Sequence, residues 1–329
     1  MKVVITGGGG FLGYQLGKKL LETGELTGSN RLQPISEICL FDRFFSETIV
    51  EKTATESRIT LLEGDISDRD TVFSVIDDDT ASIFHLASMV SGECEEHFDA
   101  ALSVNLNGGW HIFEAARARK GTPKVVFASS IACFGGDDMP ETMTDSTKRT
   151  PQTTYGMTKV IGELMVNDYS RKEYFDGRSA RLPTVIIRPG KPNAAASGWA
   201  SGMFREPLNG EVCELPVHRH QCHPMTGYHE VADSLIALHE VPTEKLGRDR
   251  AYGLPAHQVT PALAEELVNQ LAEEKGFPAG KIEDAFDPKI QKIVDQWPTA
   301  VDGSRAVQLG LPQVAPLKQI IEYYLEDFC

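Results

Sequence analysis

Tyr155 and Lys159 stand four residues apart in a stretch whose pattern predicts a helix from Thr150–Pro151 to about Arg171, so both side chains share one face. A free phenol ionises near pH 10, too high for a base at neutral pH. An ammonium beside it, or a bound positive charge, favours the phenolate and lowers that value. Ser130 follows an apolar run, Val125-Val126-Phe127, and its hydroxyl can orient an oxygen in the same cleft. The three side chains together suit proton transfer at a hydroxyl-bearing carbon. A Tyr four residues before a Lys is common on helical surfaces, so the weight of this reading comes from what precedes it.

What precedes it is Thr6-Gly7-Gly8-Gly9-Gly10-Phe11-Leu12-Gly13, placed after one apolar run and before a helical pattern. Gly7 can make a tight turn, Gly10 leaves room for a pyrophosphate, and Gly13 lets helix and sheet pack closely. The amides that open the helix, at Phe11 and Leu12 among others, then face the phosphates. Asp42 ends the second apolar run. A carboxylate there accepts hydrogen bonds from an adenosine ribose and repels a 2′-phosphate, which favours NAD over NADP. Arg43 beside it could instead hold that phosphate. Asp65 ends the third run and either meets the adenine or caps a helix starting near Asp68.

The elements that must position these groups are short apolar runs alternating with helical stretches. Val3–Ile5, Ile38–Phe41, Ile59–Leu62, Ile83–Leu86 and Val125–Phe127 read as buried strands, with Thr184–Arg188 continuing the series. Helices are expected over Leu12–Leu21, Leu106–Ala118 and Glu230–His239. The alternation predicts an α/β fold, a Rossmann doubly wound parallel sheet, with a smaller mixed C-terminal substrate domain. The NAD-binding domain is expected over 1–188, with 228–245 returning to it. The substrate-binding part then takes 189–227 and most of 246–329, and ligands should lie between the two.

The chain has 329 residues, 41% of them apolar, enough for a sizeable core. No stretch has the roughly 18 apolar residues of a membrane span. Neither a signal peptide nor a membrane span is indicated, so a cytoplasmic protein is expected. A net charge of −15 disfavours nucleic acid as a partner. The six cysteines form no Cys-x-x-Cys pair and read as reduced thiols. His218-x-His220-x-Cys222-His223 lacks the ligand spacing of a metal site, so no metal is expected.

These residues together resemble the extended short-chain dehydrogenase/reductase family, of the nucleotide-sugar epimerase and dehydratase type. The matching pieces are Gly7-x-x-Gly10-x-x-Gly13, Asp65-Ile66, His85-Leu86-Ala87-Ser88, Asn105, Ser129-Ser130, Tyr155-Gly156-Met157-Thr158-Lys159 and Arg188-Pro189-Gly190. The resemblance implies Ser130, Tyr155 and Lys159 as the catalytic set and NAD as cofactor. It implies Leu86, Ala87 and Ser88 near the nicotinamide ribose, and Asn105 as a support for the lysine through water. Ile66 and Pro189 complete the implied cofactor set.

Two positions depart from the pattern. Ser88 stands where the family often has Ala, and Phe134 where epimerases usually carry Tyr. The stretch from Arg188 to Trp199, with Phe204 to Gly210, is similar to the D-erythronate dehydrogenase branch, whose members oxidise C2 of a four-carbon sugar acid with NAD. Residues 188–223 also form a basic island in an acidic chain, with Arg188, Lys191, Arg205, His218, Arg219, His220 and His223 against Glu206, Glu211 and Glu214. Such an island suits a carboxylate substrate. The expected substrate contacts are Ser88, Ser130, Tyr155, Asn193, Ser197 and Arg205. The expected function is oxidation of a small sugar acid by an enzyme that acts alone or as a homodimer. Nucleotide-sugar 4-epimerisation or dehydration, and NAD sensing without catalysis, are the alternatives.

Overall fold

The computed structural model describes residues 1–28, 31–190 and 197–329. Seven parallel strands form the central sheet: β1 (Lys2–Thr6), β2 (Glu37–Asp42), β3 (Ile59–Glu63), β4 (Thr80–His85), β5 (Lys124–Ser130), β6 (Asp176–Leu182) and β7 (Ala251–Gly253). Their order is β7-β6-β5-β4-β1-β2-β3. The order reverses between β1 and β4, and there the carboxyl ends of the strands open a crevice.

The main helices are α1 (Phe11–Thr23), α2 (Gly109–Arg117), α3 (Thr154–Arg171), α4 (Gly198–Leu208), α5 (Tyr228–Glu240), α6 (Pro261–Lys275) and α7 (Leu317–Phe328). One core layer joins Leu16 and Leu20 of α1 and Leu235 and Leu238 of α5 to Val3, Ile5 and Leu40 of the sheet. The opposite layer joins Ile112 and Phe113 of α2 and Val166 of α3 to Val4, Ile83 and Val125. Alternate residues of a strand face opposite sides, so Val4 meets one layer and its neighbours the other.

Two expectations change here. The sixth strand of the sheet is Asp176–Leu182, which pairs with β5 from Lys124↔Asp176 to Ser130↔Leu182. Its charged residues hid it, because Arg178 and Arg181 are buried and ion-paired inside the fold. The apolar Thr184–Ile186 belongs to a separate three-stranded sheet with His223–Gly227 and His257–Val259. That sheet, with α4, α6 and α7, encloses a second core around Ile186, Phe204, Met225, Val268 and Ile321. Residues 251–253, assigned to the C-terminal part on sequence, supply the edge strand β7 of the main sheet. Among the described residues no helix is long and apolar enough to cross a membrane.

Candidate active site

The glycine turn is built by close approach. Gly7 has φ +74°, and a Cβ there would lie 2.8 Å from the Ala87 amide nitrogen. A Cβ on Gly13 would collide with the Gly7 carbonyl oxygen, so α1 sits against the turn only because both residues lack side chains. No side chain caps α1 at Gly10. The first helical amide bond runs from Tyr14 to the Gly10 carbonyl, which leaves the amides of Phe11, Leu12 and Gly13 open among the described residues. Phe11 at the helix start lines a cavity of about 240 Å³ together with Gly9, Gly10, Lys52 and Pro189. Open amides at a helix start, beside an empty volume, fit the pyrophosphate of a dinucleotide.

Asp42 lies at the mouth of this turn. Its carboxylate accepts from the Gly9 amide at 3.0 Å and the Arg43 amide at 2.7 Å. That fixes it where an adenosine ribose would arrive. Asp65 accepts from the Ser67 amide (2.8 Å) and hydroxyl (2.7 Å), whereas Asp68 caps the next helix through the Asp70 amide (3.1 Å). The capping alternative for Asp65 therefore passes to Asp68. Ile66 is buried and packs beside Gly108.

At the end of β4, the Thr6 hydroxyl meets His85 Nδ1 at 2.7 Å and accepts from the Ala87 amide at 3.2 Å. Burial holds the His85 imidazole neutral, down to about 3. The Leu86 amide donates to the Thr6 carbonyl at 3.1 Å. The strand end carrying Leu86, Ala87 and Ser88 is thus pinned over the glycine turn. The Ser88 hydroxyl donates to the Met89 carbonyl at 3.0 Å. Asn105 clamps Met89 from both ends of its amide, accepting from the Met89 nitrogen (2.7 Å) and donating to its oxygen (3.2 Å). It sits in a π-helical turn, Leu102–Gly108. Its direct partners are Met89 and Cys94 and do not include Lys159.

Helix α3 starts at Thr154, three residues after Pro151, because the Thr153 hydroxyl accepts from the Gly156 amide at 3.0 Å and serves as its N-cap. A Cβ on Gly156 would collide with the Ala132 carbonyl, and one on Gly162 would meet the Phe127 ring. These two glycines let the helix lie directly on the end of β5 and bring Tyr155 to Ser130. Ser130 Oγ accepts from the Ala132 amide at 3.1 Å. The Lys159 ammonium is buried, donates to the Ala128 carbonyl at 2.9 Å, and stands 5.2 Å from the centre of the Tyr155 ring. Burial lowers Lys159 to about 8. Burial also pushes the Tyr155 phenol up, against the opposing pull of Ser130. In the protein alone burial thus favours the neutral phenol, and a positive charge bound beside it would favour the phenolate.

Sequence reasoning missed Glu163, one turn beyond Lys159 on the same face. It is buried and accepts from Ser129 Oγ (2.6 Å), Arg149 Nη1 (2.9 Å), and Arg181 Nε (2.9 Å) and Nη2 (2.8 Å). Burial alone would raise its carboxyl, but Arg181 and the other donors hold it below the usual carboxylate range. The i, i+4, i+8 spacing of Tyr155, Lys159 and Glu163 was the available signal. Phe134 is buried with the Arg181 guanidinium 5.2 Å from its ring centre, so it packs on the arginine that pairs with Glu163 of α3.

On the substrate side much of the basic island is engaged within the fold. Arg205 is buried, ion-paired with Glu206, and donates to the Arg188 carbonyl at 3.0 Å. This engages the guanidinium expected at the substrate. Arg219 pairs with Glu265 and Asp284. His218 stacks on His220 and Phe286, and His223 bonds the Thr184 hydroxyl at 2.6 Å. Ser197 precedes α4 without capping it. Asn193 and Lys191 lie outside the described residues.

The profile of the NAD dependent epimerase/dehydratase family matches residues 3–237. The chain is 37% identical to a D-erythronate dehydrogenase of Cupriavidus necator over 99% of its own length and 98% of that protein. It is 36% identical to a D-erythronate dehydrogenase of Haemophilus influenzae over 99% of both. The fold superimposes on a crystal structure titled as the nucleoside-diphosphate-sugar epimerase from Agrobacterium tumefaciens with a TM-score of 0.88 and 34% identity, covering 100% of this chain and 94% of that one. Given this match and an N-terminal site with the open amides, Asp42, Ser130, Tyr155 and Lys159 in place, the chain belongs to the NAD dependent epimerase/dehydratase family.

Proposed function

We propose that this enzyme oxidises the C2 hydroxyl of a small sugar acid, D-erythronate to 2-oxo-D-erythronate. The observation that carries the reading is similarity to D-erythronate dehydrogenases along the whole chain, substrate-side lobe included. Tyr155 takes the proton of the C2 hydroxyl. Ser130 holds that oxygen, and Ser88, Asn193 and Ser197 are proposed to meet the rest of the substrate. Lys159 keeps a positive charge beside the phenol and bonds the ribose hydroxyls of the cofactor. Bound NAD supplies the hydride acceptor and the positive ring that favours the phenolate. Asp42, Asp65, Ile66, Leu86, Ala87, Asn105 and Pro189 are the residues we assign to holding it, with the amides of α1.

The test is NADH formation with a panel of aldonates and nucleotide sugars. Turnover of a four-carbon acid is expected. Turnover of a nucleotide sugar with none of any four-carbon acid overturns the reading. That second outcome is the epimerase alternative, favoured by the likeness to the Agrobacterium epimerase structure.

We further propose that 1–188 and 228–245 hold the cofactor, with 189–227 and most of 246–329 shaping the substrate side. All six cysteines are free, which suits the cytoplasm. Trp110 of α2 and Leu164 of α3 are each 51% exposed on neighbouring helices, and we assign that face to a second copy of the chain.

A further inference from the structure

We propose that Arg188 receives the carboxylate of the substrate and so selects acids over neutral polyols. The assignment rests on the substrate being a small hydroxy acid. Among the described arginines that are not exposed, Arg58, Arg149, Arg178, Arg181, Arg205, Arg219, Arg250 and Arg305 each have a carboxylate partner. Arg119 spends its guanidinium on a helix carbonyl. Arg188 is half-buried and has no carboxylate within ion-pair distance among the described residues. The charges acting on it are Arg205, which repels it, and Glu93, which lies beyond pairing distance. A half-buried cation next to a second cation is unfavourable in the chain alone, and an anion relieves it.

The backbone at Arg188 is fixed on both sides. Its amide donates to Ser201 Oγ at 3.1 Å, and its carbonyl accepts from Arg205 Nη1 at 3.0 Å. Arg205, tied to Glu206, thus serves as the brace of this position. The next residue, Pro189, lines the cavity at the glycine turn. Glu93 belongs to the helix Ser91–Glu96, three residues after Ser88, and that helix packs on α3. Arg188 therefore lies between the cofactor turn and the wall of the cleft that carries Ser88. A planar guanidinium matches a carboxylate with two parallel hydrogen bonds, and an ammonium does so less well.

The experiment compares the full chain with Arg188→Met and Arg188→Lys. Calorimetry measures binding of D-erythronate and of erythritol to the NADH complex, and turnover gives kcat and KM with NAD. Arg188→Met is expected to weaken D-erythronate binding and raise its KM by about 10- to 100-fold, with erythritol and NADH binding unchanged. Arg188→Lys should recover part of the loss. Equal D-erythronate binding by Arg188→Met and the parent chain overturns the assignment. So does a loss confined to NADH affinity, which would give the guanidinium to the cofactor. A parent chain that binds D-erythronate in the NADH complex but never oxidises it fails the proposed reaction while leaving the carboxylate site standing. A parent chain that binds no D-erythronate overturns both.

Discussion

Tyr155 and Lys159 carry opposite burdens in the same pocket. Burial makes the phenol harder to ionise and the ammonium easier to neutralise. Replacing the phenol oxygen by Tyr155→Phe removes the proton acceptor, and kcat is expected to fall about 10²- to 10⁴-fold with NADH affinity retained, read by steady-state kinetics and calorimetry. Lys159 is lowered from 10.5 to about 8, so the unfolded chain holds that proton more tightly than the folded one between those values. Its charged form costs folding roughly 3 kcal/mol below pH 8 by the size of the shift. That cost shrinks as pH rises from 8 toward 10.5. Lys159→Met should therefore abolish turnover and raise Tm at pH 7, with the gain fading over that alkaline window. A variant with lower Tm at pH 7 would show that the Ala128 bond outweighs the cost of the buried charge.

Helix α3 acts as a mount whose position is set by contacts in its first turn and two turns further on. Gly156 meets Ala132, Gly162 meets Phe127, and Glu163 meets Arg149 and Arg181. Gly156→Ala should push the helix off the end of β5, costing about 1–3 kcal/mol and lowering kcat at least as much as KM changes. Denaturant unfolding and kinetics together check it. Glu163→Gln leaves Arg149 without its anion and Arg181 with Asp145 alone, and a broken buried pair costs about 3–5 kcal/mol; a chevron or Tm series reads that directly. The parts of this arrangement that are local were legible in the sequence. The glycine turn, the Tyr–Lys spacing and five of the seven sheet strands each declare themselves within a few neighbouring residues. Strand Asp176–Leu182 did not, because burial of Arg178 and Arg181 depends on Asp176, Asp145 and Glu163, and their charges erase the apolar run. Thr184–Ile186 misled for the opposite reason: an apolar run says that a strand is buried, not which sheet buries it. Pairings such as Thr6 with His85, or Arg205 with the Arg188 carbonyl, arise only when distant segments meet.

Across the whole molecule, the two lobes meet around the glycine turn. Phe328, near the chain end, packs edge-on against Phe11 at 6.0 Å and Tyr228 at 5.8 Å. The opposite side of the sheet is where α2 and α3 leave Trp110 and Leu164 in solvent. Large apolar groups exposed on neighbouring helices favour burial against a partner surface, and a twofold pairing of this face buries each group against its own copy. The proposed pairing must work against −15 charges on each copy, so screening should strengthen it. Light scattering is expected to give twice the 36.1 kDa chain mass, with the dimer fraction rising from low to moderate salt. Leu164→Glu places a charge in that contact and should give the single-chain mass with the fold retained by circular dichroism. Because Leu164 and Tyr155 share α3, the same variant should show a lower kcat if the partner steadies the helix. A parent chain that stays at the single mass across salt and concentration removes the pairing, and the proposed site of Ser130, Tyr155 and Lys159 then has to work within one chain.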